Sequence, residues 1–162
     1  MDIDYLILAD AATAAGGKLY IHGAGWDGIF GLSFPLQHPG LAVALRLRVP
    51  WTDTNQSHVL EMDLMDADGA SLLPAPLRAP VTAGRPPQLP VGEDQVIPMA
   101  VVISGPTFPR PGTYAVVARI DGLERSRSPS RKSNSRLPGS VEVAAASSAR
   151  LGEMTSQAAY FS

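Results

Sequence analysis

Apolar and polar residues alternate with a period of two in three stretches of this chain. Successive side chains of a strand point to opposite faces, so that period predicts half-buried strands. From Ala42 to Val49 the apolar side is Val43, Leu45, Leu47 and Val49, with Arg46 and Arg48 opposite. From Val59 to Asp66 it is Leu60, Met62 and Leu64, with Glu61 and Asp63 facing out. From Thr113 to Asp121 it is Tyr114, Val116, Ala118 and Ile120, with Val117 and Arg119 on the other side. Val96 to Ser104 is nearly all apolar and reads as a central strand covered on both faces. Gly105 to Gly112, with three prolines, reads as a long hairpin loop joining it to the next strand.

At the N-terminal end, Tyr5 to Ala11 and Lys18 to Gly23 flank a turn at Gly16-Gly17. Ala11 to Ala15 favours a helical turn by propensity but is too short to stand alone, so the stretch reads as an irregular hairpin. Ile29 to Phe34 is a candidate short strand. Residues 74–98 hold seven prolines and little alternation, which predicts a long loop or an edge excursion. After Gly122 the chain turns rich in Ser and Arg. One strand is expected at 141–146 and disorder over most of the rest. The division is a domain over 1–122 and a tail over 123–162.

Seven to eight short strands separated by turn residues predict an all-β fold, with an immunoglobulin-like Greek-key sandwich as the preferred topology. Composition agrees. The 162 residues include 15 Gly and 15 Pro, together well above the usual roughly 12%. A net charge of -2 gives no whole-chain pull toward nucleic acid or an acidic membrane. The absence of cysteine removes thiolate nucleophiles, disulfides and Cys-type metal centres. Met1-Asp2-Ile3-Asp4 lacks the positive charge of a signal peptide, and the apolar run after it is too short for a bilayer, so the cytoplasm is expected.

Candidate chemistry is sparse. Asp63, Asp66, Asp68 and Gly69 invite a calcium loop, but Leu64 and Ala75 stand where ligands are needed; an Asp-Gly turn is the simpler reading. His22, His38 and His58 show no metal-ligand spacing. Gly23 to Gly28 matches Gly-x-Gly-x-x-Gly, yet no helix opener follows to hold a pyrophosphate. No nucleophile elbow is present. Arg85 to Pro90 contains Pro-x-x-Pro, which reads as a stiffened loop ahead of a polyproline ligand. No cofactor is expected. Trp26 and Trp51 sit at strand-to-loop junctions; core packing is the simpler reading of both, and the alternative is an aromatic anchor on a binding face. On that alternative the candidate contact surface is Trp26, Asp27, Trp51, Asp53 and Asn55 at one end of the sandwich.

Three stretches resemble an uncharacterised bacterial domain family found chiefly in actinobacteria. The first runs through Leu8-Ala9-Asp10-Ala11-Ala12, Gly17-Lys18-Leu19-Tyr20-Ile21 and Gly25-Trp26-Asp27. The second is His38-Pro39, Leu47-Arg48-Val49-Pro50-Trp51 and Thr54-Asn55. The third is Gly84-Arg85-Pro86-Pro87, Pro111-Gly112-Thr113-Tyr114 and Ile120-Asp121-Gly122. The resemblance covers residues 1 to about 124. It implies a β-sandwich and carries over no activity and no catalytic residue. It departs after the Asp-Gly turn, where a closing strand would stand and Leu123 to Pro129 is found instead. The closing strand is either degraded or replaced by residues 141–146.

The function expected is that of a non-enzymatic module binding a protein partner or itself. The alternatives are an adaptor for nucleic acid or an acidic surface through the Arg/Ser tail, and a small metal-dependent hydrolase.

Overall fold

The computed structural model describes residues 1–26, 28–126 and 140–145. The expected disorder of the tail concerns residues 127–139 and 146–162, which lie outside them. The described chain is all-β, with twelve strands where seven to eight were expected; the surplus is short pieces. They are β1 (Asp2–Ala15), β2 (Lys18–Ala24), β3 (Gly28–Phe30), β4 (Leu36–Gln37), β5 (Gly40–Val49), β6 (Ser57–Asp66), β7 (Leu77–Thr82), β8 (Gln95–Ser104), β9 (Thr107–Phe108), β10 (Gly112–Ile120), β11 (Leu123–Ser126) and β12 (Ser140–Ala145). A single 3-10 turn, Trp51–Asp53, follows β5.

One sheet has the order β2-β1-β5-β8 and the other β3-β12-β10-β6-β7, with β11 also on β10; β4 and β9 pair separately. The inward residues of both sheets form one core. Leu6, Leu8, Val43, Leu45 and Leu47 meet Leu60, Met62, Leu64, Tyr114, Val116 and Ala118. The alternation read from the sequence thus names the core faces of β5, β6 and β10 correctly. The opposite face of β5 is wet only at Arg46 and Arg48, because Ala42 and Ala44 are buried as well.

Several expectations are overturned. The Ala11 to Ala15 stretch is regular strand, paired residue for residue with Lys18 to His22. Gly16 and Gly17 both take positive φ (57° and 72°), the two-residue turn whose twist suits a hairpin. Alanine's helix propensity yields to that turn and to cross-strand pairing. β8 is an edge strand, not a central one. Its local sign was Pro98, which has no N–H for an inner ladder. Pro80 sits likewise in β7, the edge of the other sheet. The 74–98 excursion contains β7 and the start of β8. Pro86 and Leu89 close a turn (Leu89 N to Pro86 O, 3.0 Å), so Pro-x-x-Pro is folded back and not extended.

Gly105 to Gly112 is no hairpin loop, since β8 and β10 belong to different sheets. Tyr114 fixes this crossing. Its ring packs edge-on against Phe108 (centroids 5.0 Å, 71°), and its hydroxyl donates to the Arg110 carbonyl at 2.8 Å. A tyrosine bonded to backbone a few residues upstream is a hallmark of corners in sandwich folds.

After β10, Asp121 and Gly122 turn at positive φ (53° and 75°) into β11. β11 covers one half of β10, antiparallel through Ala118 to Ile120. β12 covers the other half, parallel through Gly112 to Val116. The place of a single closing strand is therefore filled by two pieces.

Candidate functional site at the Trp51 end

The sequence grouped Trp26 with Trp51, and the strand registers separate them. Trp26 links β2 to β3. Ala24 pairs with Ala9, and Ala9 with Ala42 near the start of β5. Trp51 follows Val49 at the other end of β5. Seven residues of strand lie between, about 23 Å at roughly 3.3 Å per residue. Trp26 is half-buried against the core, and its buried indole N–H has no partner among the described residues. Asp27 lies outside the described residues. Trp51, Asp53 and Asn55 do come together, on the connection from β5 to β6.

That connection is built from local bonds. Asp53 N–H donates to the Pro50 carbonyl at 2.9 Å and sets the 3-10 turn. Thr54, buried, donates its hydroxyl to the Trp51 carbonyl at 2.7 Å. Asn55 takes positive φ (60°), as asparagine tolerates. Its N–H reaches the Ala83 carbonyl at 2.7 Å, tying the loop to the segment after β7. Gln56 Nε2 donates to the Thr52 carbonyl at 2.7 Å.

Arg85, which in the sequence belongs to a proline motif and to the third family-like stretch, completes this end. Its guanidinium carbon lies 4.5 Å from the centre of the Trp51 ring. Nε donates to Thr54 Oγ1, and Nη2 reaches the Trp51 carbonyl at 3.4 Å. Gln95 Nε2 holds the Gly84 carbonyl beside it at 2.7 Å. Arg46, Arg48, Arg78 and Arg110 each pair with a carboxylate. Exposed Arg85 has no carboxylate partner among the described residues. It is exposed, stacked on the Trp51 ring and oriented by neutral oxygens. Sequence could flag it only as a lone arginine, because Trp51 is 34 residues away.

Two carboxylates at this end are held below their ordinary range. Asp53 accepts from the Met1 amine, the main cause, and from Thr52 Oγ1 at 2.9 Å; partial burial opposes them. Asp121 is lowered first by His58 Nδ1 at 2.7 Å and then by the Val59 N–H at 2.9 Å. Asp121 N–H returns to the Val59 carbonyl at 3.0 Å. Asp121 thus clamps the β10–β11 turn to β6. The buried His58 Nε2 has no partner among the described residues. A general base needs an open path to a substrate proton, and this nitrogen is sealed.

The other candidates fall apart in space. Asp66 is a turn acid: Oδ1 accepts from Asp68 N (3.0 Å) and Ala70 N (2.9 Å), and Gly69 has φ of 83°. Asp63 does not face water. It is 2% exposed and accepts from Ser71 Oγ at 2.6 Å, because residues 66–73 fold over it. His22 is exposed on β2, and His38 Nδ1 accepts from Gly40 N at 3.3 Å. No three His, Cys, Asp or Glu among the described residues are grouped to hold a metal. Residues after Gly28 form β3, so the glycine motif opens no helix. No helix among the described residues is long and apolar enough to cross a membrane.

Comparison with characterised proteins and with solved structures found no match. The sequence model of one family does match, over residues 4–131. That span takes in both sheets apart from β12 and the first two residues of β1, and every residue of the Trp51 end except Met1. The chain belongs to this family, a family of unknown function designated DUF6941.

Proposed function

We propose that this chain is a non-enzymatic interaction module, and that its Trp51 end holds a carboxylate-bearing segment of a protein partner. The observation that carries the reading is Arg85. Immobilising an arginine side chain costs about 2 kcal/mol of rotamer entropy, and here it is already fixed by Trp51 and Thr54. Preorganisation of this kind lowers the cost of binding. The outer edge of a guanidinium matches a planar carboxylate in bidentate fashion. Trp51 and Arg85 are residue types enriched where binding energy concentrates. One arginine, with Asp53 in the adjoining turn, suits a single carboxylate better than a phosphate dianion. Asn55 and Thr52 supply a polar rim; Trp26, a strand's length away, has no part in it, and Asp27 lies outside the described residues.

The immunoglobulin-like Greek-key topology belongs to this reading. It is supported by the Tyr114 corner and by repeated crossings between the sheets, among them β5 to β6, β7 to β8 and β8 to β10. A bacterial cytoplasm suits a chain of 162 residues without cysteine. The alternative through the Arg/Ser tail rests largely on residues outside the described ones.

The test is a titration followed at the arginine Nε–H resonances. The probes are a twelve-residue peptide of alternating Glu and Ala, and its Gln counterpart. The Arg85 resonance should move with the Glu peptide and not with the Gln peptide. Arg85→Lys, which keeps the charge and loses the fork, should bind at least tenfold more weakly. Equal responses to both peptides, or none at millimolar concentration, would sink the proposal.

A further inference from the structure

We infer that β8 pairs with the β8 of a second copy, joining two four-stranded sheets across a two-fold axis. Among the described residues, β8 has no hydrogen-bonded neighbour on its outer side. Unpaired edges invite pairing, and proteins guard them with charge, proline or shortness. β1, β2, β5, β6, β7, β10 and β12 each carry at least one Asp, Glu, Lys or Arg. β8 is ten residues long and carries none. It is the one strand of six or more residues without charge among those described, and it stands at an edge. Val96 and Val102 on it are 47% and 56% exposed.

The register says which groups are open. Pro98 has no N–H, so its pair with Arg46 is a non-bonded pair. Ala100, Val102 and Ser104 share its phase and turn their N–H and C=O groups outward. The open stretch is bounded by Pro98 on one side and by Gly105, turning at φ 59°, on the other. Antiparallel self-pairing centred on Val102 sets Val102 against Val102 and Ala100 against Ser104. No like charges meet, because the strand has none. A groove of about 250 Å³ adjoins this edge, lined by Leu60, Met62, Leu77, Ala79 and Val101 with Arg78. A second sheet laid along β8 would shield that apolar lining from water.

A second copy is the occupant the chemistry favours. An uncharged edge offers no charge pattern to select a foreign strand, whereas its own antiparallel image matches it in length and in both boundaries. Closed two-fold pairing also stops at a dimer. This surface is separate from the Trp51–Arg85 end, and the two readings stand or fall independently.

The experiment is sedimentation equilibrium of the full chain from 1 to 300 μM, with hydrogen exchange at the two extremes. A monomer–dimer equilibrium is expected. The amides of Ala100, Val102 and Ser104 should exchange more slowly at the higher concentration. Val102→Lys, at an exposed position, should weaken the dimer at least tenfold, and Val102→Thr should keep it. Arg85→Lys should leave it unchanged. A monomer throughout, or a dimer indifferent to Val102→Lys, overturns the inference. Val102→Lys should keep the native circular dichroism spectrum, so a lost dimer is not mistaken for unfolding.

Discussion

Replacing Tyr114 by Phe removes one oxygen and leaves the aromatic ring against Phe108 in place. What is lost is the bond to the Arg110 carbonyl, 2.8 Å long and partly buried. A net hydrogen bond is worth about 0.5–1.5 kcal/mol, and a buried acceptor left unpaired costs about 1–3 kcal/mol. Arg110 is itself exposed, so water can reach part of the vacated carbonyl. The lower half of that range applies, about 1–2 kcal/mol. For a domain of this size that lowers the melting temperature by roughly 3–5 °C per kcal/mol. Urea unfolding followed by tryptophan fluorescence reads it directly, as a lower midpoint at unchanged slope. Tyr114→Ala should lose a further 2–3 kcal/mol or so, because it also empties the ring's place in the core. If Tyr114→Phe unfolds within 0.3 kcal/mol or so of the parent, the corner does not hold the crossing from β8 to β10.

Acid should weaken the Trp51 end. Asp53 and Asp121 both titrate below their ordinary range when folded. Their contribution is therefore present above the unfolded carboxylate pKa of about 3.9 and is lost as pH falls through the lower folded values. The urea midpoint should fall below about pH 4. The Asp53→Asn/Asp121→Asn variant should be less stable at pH 7 and flatter below pH 4; an unchanged acid limb would contradict the assignment. At the first hairpin, Gly16→Asn should change stability by less than about 0.5 kcal/mol, because Asn-Gly suits a turn with two positive φ values. Gly17→Val should cost about 1–2 kcal/mol, since a β-branched residue is strained there. Equal effects of these two substitutions on the thermal midpoint would refute the turn geometry.

The sequence by itself determined the class of the fold and the inward faces of β5, β6 and β10. Those facts are local: a pleated strand alternates, and Leu45 or Val116 declares its side through its own neighbours. It also marked the turns at Gly16-Gly17, Asp68-Gly69 and Asp121-Gly122, where one or two residues must take positive φ. Only the tertiary structure decided which strand lies beside which. An apolar run reads the same at the centre of a sheet and at its edge, so Val96 to Ser104 was misplaced; Pro98 alone hinted otherwise. Asp63 kept its predicted face, yet it was covered by a loop that no period of two describes. Trp26 and Trp51 share a local context, a strand end meeting a loop, and stand at opposite ends because β5 runs between them. Arg85 reached Trp51 only through the pairing of β6 with β7, which brings the segment after β7 alongside the Trp51 loop. Alternation is fixed by backbone geometry within a few residues, whereas adjacency depends on how sheets close over a shared core, and the candidate site is made of adjacency.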